Sequence, residues 1–274
     1  MAEQPTAPVL EDTTAPASLH YPMPALDAYW MRTDRIYRGV SGEVYALDVY
    51  QPATAREPRA AVVLVHGQAR PDLVRDAKSW PALQGLARVL AATGRVAVVP
   101  NLGSTARGPG LVADNVVAAV RHVEAHAAEL GVDPRRLALW VAAEGGLYGL
   151  GPALGGELDG AIRCAVALYP QLSDRPLLRT YPPLSAGVRE RLGPSGHVRR
   201  RGRKLFPLLV VRAGRDRAEV NQALDEFVNL SQQVGFPVTL VRHDEGHHGF
   251  EVVDATDATR AVLDRTFAFL ERHL

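Results

Sequence analysis

Asp216 and His248 have the residue types and the chain order needed to orient and use a general base. Asp216 closes Gly214-Arg215-Asp216, just past the apolar run Leu208 to Ala213. His248 lies in His243-Asp244-Glu245-Gly246-His247-His248-Gly249-Phe250, just past the following run. A carboxylate bonded to one imidazole nitrogen leaves the other free to take and return a proton. Read locally, Asp216 also suits the N-cap of a helix beginning near Ala218. Asp244 is a second choice of acid and His247 a second choice of base. Metal binding by His243, His247 and His248 would need a fourth ligand, and none stands at a recognisable spacing. No phosphate-binding Gly-rich fingerprint appears either, so no metal and no organic cofactor is assigned.

A base of this kind serves a nucleophile held on a sharp strand-to-helix turn. Leu137-Ala138-Leu139-Trp140-Val141-Ala142-Ala143-Glu144-Gly145-Gly146 has that outline: an apolar run, small residues, then a Gly-rich helix start. In the pattern G-x-S-x-G, the small neighbours let a side chain stand on so tight a bend. Here the serine position is Ala143 and the first glycine position is Val141. His66-Gly67-Gln68 follows an earlier apolar run. The N–H of Gly67 or Gln68, together with that of Glu144, suits an oxyanion hole. His66 itself reads as a packed, hydrogen-bonded histidine. Tyr169, Tyr181, Leu184 and Phe206 offer an apolar or aromatic lining for a substrate. Arg70, Arg107 and Arg215 follow expected strands and could hold a carboxylate, although solvated surface arginine is the commoner fate.

These residues need a scaffold that brings strand ends together. Apolar runs recur at Ala61–Val65, Val96–Pro100, Leu137–Ala142, Ala161–Leu168, Leu208–Ala213 and Val238–Arg242. Such runs suit strands buried on both faces of a parallel sheet. Between them lie residues at helical spacing. Trp80, Leu83, Leu86, Ala87 and Leu90 form one set, and Val112, Val116, Val120 and Val123 mark another that runs to Leu130. Leu224, Phe227, Val228 and Val234 form a third, and Val262, Phe267 and Leu270 the last. The alternation predicts an α/β fold: a mainly parallel, twisted central sheet with helices on both faces. Glu43 to Tyr50 alternates and predicts a half-exposed antiparallel edge strand. Residues 1–19, rich in Ala, Pro and Thr, read as a mobile tail, and 20–274 as one domain. Residues 171–204 break the rhythm with Pro176, Pro182, Pro183 and Pro194 and predict a lid-like insertion.

The 274 residues carry a net charge of +1, with 47% hydrophobic and 22% charged residues, which gives no reason to expect nucleic acid as a partner. The run Arg199 to Lys204 reads as a solvated loop. No apolar stretch is long enough to span a membrane, and no secretory signal is evident, so a cytoplasmic location is expected. Cys164 is the single cysteine, placed in an apolar run where a buried, inert thiol is expected. The expected partner is a small-molecule ester or carbonyl compound, and homodimerisation is compatible with the sequence.

Taken together, the chain from about Gly42 to Leu274 resembles the α/β-hydrolase superfamily, and within it the dienelactone-hydrolase-like esterases. His66-Gly67, Trp140 to Gly146, Arg212-Ala213-Gly214-Arg215-Asp216 and His247-His248-Gly249-Phe250-Glu251 carry the likeness. The resemblance implies Asp216 as acid and His248 as base, with Ala143 in the nucleophile's place. Three readings of Ala143 follow. The chain is an inactive form of a serine esterase with serine replaced by alanine; or a non-hydrolytic lyase, isomerase or cyclase working through Asp216 and His248; or a small-molecule binding protein.

Overall fold

The computed structural model describes residues 17–68, 71–175, 184–202 and 205–274, and every structural statement concerns these residues. The unalternating Val, Ala and Leu runs become parallel strands: β3 (Arg59–Val65), β4 (Val96–Pro100), β5 (Val132–Ala142), β6 (Ile162–Leu168), β7 (Leu208–Ala213) and β8 (Val238–His243). Two antiparallel strands precede them, β1 (Tyr29–Arg38) and β2 (Val44–Pro52). The sheet order is β1-β2-β4-β3-β5-β6-β7-β8. The Glu43–Tyr50 stretch is antiparallel, but it is not the edge. It is β2, covered by β1 on its outer side and buried from Leu47 onward. At the other end, β8 forms the opposite edge, so its residues are only partly buried instead of hidden on both faces.

Side chains alternate between two cores. Ala61, Val63, Val65, Leu137, Leu139 and Val141 point to one face, against α2 (Pro109–Ala125) and α6 (Ala218–Val234). Val62, Leu64, Ala138, Trp140, Val166 and Val211 point to the other, against α1 (Pro81–Ala92) and the closing helix, α7 (Asp257–His273). Helix α2 stops at Ala125 and does not continue to Leu130. Turns then lead to Gly131, whose φ of 63° no other residue type adopts cheaply, and β5 starts at once at Val132. Cys164 is fully buried in β6, and burial pushes its thiol up to about 12, so it is inert at neutral pH.

The expected lid is only partly described, and what is described is helical. The chain forms α4 (Ala186–Leu192) and α5 (Pro194–Arg201), between which sits the turn residue Gly193. Ser185 caps α4 by accepting the Val188 N–H at 3.3 Å. Leu192 and Val198 are fully buried in the main core, so these helices belong to the body of the domain. Arg199, Arg200 and Arg201 lie on α5 and not in a loop, and Arg201 bonds the Leu154 carbonyl and Asp159. Residues 176–183, including Tyr181, lie outside the described residues. At the other terminus, Leu19 is not part of a free tail: it is 7% exposed and packs over Gly85 of α1. No helix among the described residues is long and apolar enough to cross a membrane.

Candidate active site

Parallel strands end together, and at a sheet's carboxyl edge their loops form a crevice. That edge gathers Gly67 and Gln68 after β3, Ala143 after β5, Tyr169 after β6, Asp216 after β7 and His248 after β8. Ala143 has φ 49°, the left-handed conformation that costs a non-glycine residue about 1–2 kcal/mol. Backbone bonds hold it there. Its N–H donates to the Leu168 carbonyl at 3.2 Å, and its carbonyl accepts from Gln171 at 2.7 Å and Gly146 at 3.0 Å. Gly145 is required because a Cβ would stand 2.6 Å from the Val65 carbonyl oxygen. Val141, at the position where the pattern prefers glycine, is fully buried. Room for it comes from Gly149: a Cβ there would lie 2.9 Å from Val141 Cγ1. Residues 146–150 accordingly form a π-type turn, a widening common at functional sites, before the short helix α3 (Gly151–Gly155).

Asp216 and His248, the expected acid and base, meet directly. Asp216 Oδ2 lies 2.8 Å from His248 Nδ1, and Asp216 Oδ1 accepts the Arg217 N–H at 2.7 Å. The Asp216 carboxylate has no solvent exposure and the His248 side chain only 18%. With a carboxylate on Nδ1, that nitrogen carries the proton, and Nε2 keeps the lone pair that accepts one. Asp216 does not cap α6, whose N-cap is Arg217. The two loops are tied by the Gly214 N–H to the His243 carbonyl at 2.8 Å and the Arg215 N–H to the Gly246 carbonyl at 2.9 Å. Gly214 permits this, since a Cβ would fall 1.9 Å from the Asp244 carbonyl oxygen. Asp244 itself is exposed. The three neighbouring histidines go to separate partners. His243 is buried with Nε2 2.9 Å from Thr259 Oγ1, and exposed His247 places Nδ1 2.8 Å from Asp254. Burial draws the pKa of His243 down.

On the opposite side of the crevice, His66 is buried beneath Trp80, with ring centroids 5.1 Å apart. Burial lowers its pKa to about 4, so it is a neutral packing residue. The Gln68 N–H is engaged: it donates to Glu144 Oε2 at 3.3 Å. The Glu144 N–H makes no backbone hydrogen bond among the described residues. Glu144 therefore brings to the site both a backbone N–H that makes no backbone hydrogen bond and its side-chain carboxylate.

Tyr169 packs against His248, with ring centroids 4.5 Å apart. Its φ is 36°, held by its N–H to the Val211 carbonyl at 2.8 Å. Its hydroxyl donates to Glu251 Oε1. Burial raises the pKa values of both groups, and Oε2 of Glu251 has no hydrogen-bond partner among the described residues. Sequence reasoning assigned Glu251 no role. Its signal was its place three residues after His248, in a helical turn (Phe250–Val253).

The expectation for Phe206 is overturned. It precedes β7, whereas Asp216 follows it, so the strand's length of about 20 Å separates Phe206 from the crevice. Phe206 instead packs against the core at the sheet's other edge, and Leu184 is also half-buried against that core. Arg107 is exposed and paired with Glu43 at 2.6 Å, and Arg215 is paired with Glu245. Arg70 lies outside the described residues.

No family model matches the chain, and no curated protein matches it. Solved structures do. A single-substitution variant of the esterase rPPE superposes with a TM-score of 0.75 at 20% identity, covering 92% of this chain and 86% of that one. Esterase 2 of Thermogutta terrifontis, phosphoramylated by tabun, gives 0.70 at 21% identity over 91% and 96%. Carboxyl esterase 2 of the mycorrhizal fungus Tuber melanosporum gives 0.72 at 16% identity over 93% and 91%. These likenesses show that the chain has the α/β-hydrolase fold.

Proposed function

We propose that this chain carries the site of a carboxylic ester hydrolase of the dienelactone-hydrolase-like kind, in an inactive form with Ala143 where a nucleophilic serine would act. The observation that carries the reading is the Asp216–His248 pair at 2.8 Å, its carboxylate buried and its imidazole partly so, set on the same sheet edge as an elbow held at φ 49° around an alanine. A serine at that position would give its proton to His248 Nε2 as Oγ attacks the ester carbonyl carbon. The carbonyl oxygen, now negative, would turn toward the N–H groups of Gln68 and Glu144, and His248 would return the proton to the leaving alcohol. Water, activated by the same imidazole, would then release the acid. Without Oγ the first bond does not form, and the chain as written makes no acyl-enzyme at residue 143. Tyr169 favours an ester or lactone of a small apolar or aromatic compound.

A second reading draws support from the Glu144 carboxylate beside Gln68. It is a non-hydrolytic lyase, isomerase or cyclase in which His248 exchanges protons with a carbonyl compound. Exposing Ala143→Ser to a fluorophosphonate probe, followed by peptide mass mapping, separates the two. The hydrolase reading expects the adduct on residue 143. A folded variant that takes no label overturns it.

A further inference from the structure

The space between Gln68 and the elbow is small and its walls are known. A Cβ on Gly67 would stand 2.7 Å from Glu144 Oε2, 3.0 Å from the Ala143 Cβ and 3.6 Å from the Glu144 nitrogen. Glu144 Oε2 accepts the Gln68 N–H at 3.3 Å. Glu144 Oε2 thus lies against Gly67, on the side where the Ala143 methyl and the Glu144 nitrogen also approach, and it takes up the Gln68 N–H, one of the two donors of the expected oxyanion hole.

We propose that Glu144 determines the specificity of this site by occupying the oxyanion seat with its carboxylate. An oxygen bearing negative charge cannot share a seat a few ångströms wide with a carboxylate, because like charges at that range repel strongly. Small carboxylates, and carbonyls that become oxyanions, enter only when the Glu144 side chain leaves. Ligands that offer a hydrogen-bond donor, a neutral alcohol or an ammonium group, meet an acceptor there instead. Glu144→Gln keeps the shape and removes the charge, and Glu144→Ala empties the seat; both leave the Glu144 N–H in place.

The binding arm of the test uses the chain with Ala143 unchanged and sodium butyrate as the probe, titrated by calorimetry, with thermal melts to show that each variant is folded. Butyrate affinity should rise at least tenfold in Glu144→Ala and measurably in Glu144→Gln. Equal affinity in all three proteins overturns the proposal. The second arm rests on the hydrolase reading and compares Ala143→Ser with Ala143→Ser/Glu144→Ala on p-nitrophenyl acetate. The double variant should have a kcat/KM about tenfold higher. Active Ala143→Ser with no gain in the double variant counts against the seat. No activity in either, with butyrate affinity still raised, overturns the hydrolase reading and leaves the seat standing.

Discussion

His66 is 2% exposed, and burial lowers its pKa from 6.5 to about 4. Its neutral form belongs to the fold, and the unfolded chain takes a proton first as pH falls. Below pH 6.5 the unfolded state therefore binds more protons, and stability declines until about pH 4, where the folded form is protonated too. At 1.36 kcal/mol per unit, the full effect is about 3 kcal/mol. Urea denaturation of His66→Gln should show a loss between pH 7 and pH 4 smaller than the parent's by roughly that amount. His122, His197 and His243, whose pKa values are also lowered by burial, remain in both proteins and cancel in the difference. Equal pH slopes would show that His66 is not the group responsible. At this scale the sequence was informative about residue order and silent about rotamers. Asp216 and His248 were legible because each follows a strand, and their contact follows from neighbouring strand ends. The Glu144 carboxylate on Gln68 was not, because it depends on side-chain torsions. Phe206 was misplaced because residues before and after a strand look alike until the strand's direction is used.

Among the elements, the antiparallel end of the sheet holds the least expected structure. Strand β1 was missed because Trp30, Met31 and Ile36 are exposed apolar residues, two of them adjacent and so on opposite faces, which blurs the two-residue period. Its register shifts between Arg32 and Arg35, around Asp34 with φ 55°. Lys78 secures this irregularity: Nζ lies 2.9 Å from Asp34, 3.3 Å from Asp48 and 3.7 Å from Asp76. The Asp34 N–H donates to Asp48 at 2.9 Å, and Asp48 is 2% exposed. Removing the ammonium leaves a buried carboxylate without its counter-charge, which costs about 3–5 kcal/mol. Lys78→Met should lower Tm by about 10 °C in a differential scan, given the size of the domain. A fall below about 2 °C would show that the ion cluster does not hold β1 to the sheet. The parallel strands were easy to read for the opposite reason. A strand covered on both faces is apolar throughout, and the helices between carry one apolar stripe each.

Across the whole molecule, the fold gathers the bonded Asp216–His248 pair, the Ala143 turn at φ 49° and the Gly67–Gln68 loop on one edge of a sheet, and the side chain at that turn is a methyl group. The sheet order brings β3, β5, β6, β7 and β8 side by side, so the loops carrying Gly67 and His248 reach the same sheet edge without any motif linking them. The alternation of strands and helices predicted a mainly parallel sheet but not its strand order, whereas Ala143 at the serine position of the expected elbow was visible in the sequence alone. The central claim is that only an oxygen at residue 143 is missing. Stopped-flow hydrolysis of p-nitrophenyl acetate by Ala143→Ser, with and without His248→Ala, tests it most directly. Ala143→Ser should hydrolyse the ester with an acylation burst that the parent chain lacks, and His248→Ala should lower the rate by about 10³-fold or more. A folded Ala143→Ser protein that turns over the ester no faster than the parent, or whose activity survives His248→Ala, would contradict the account.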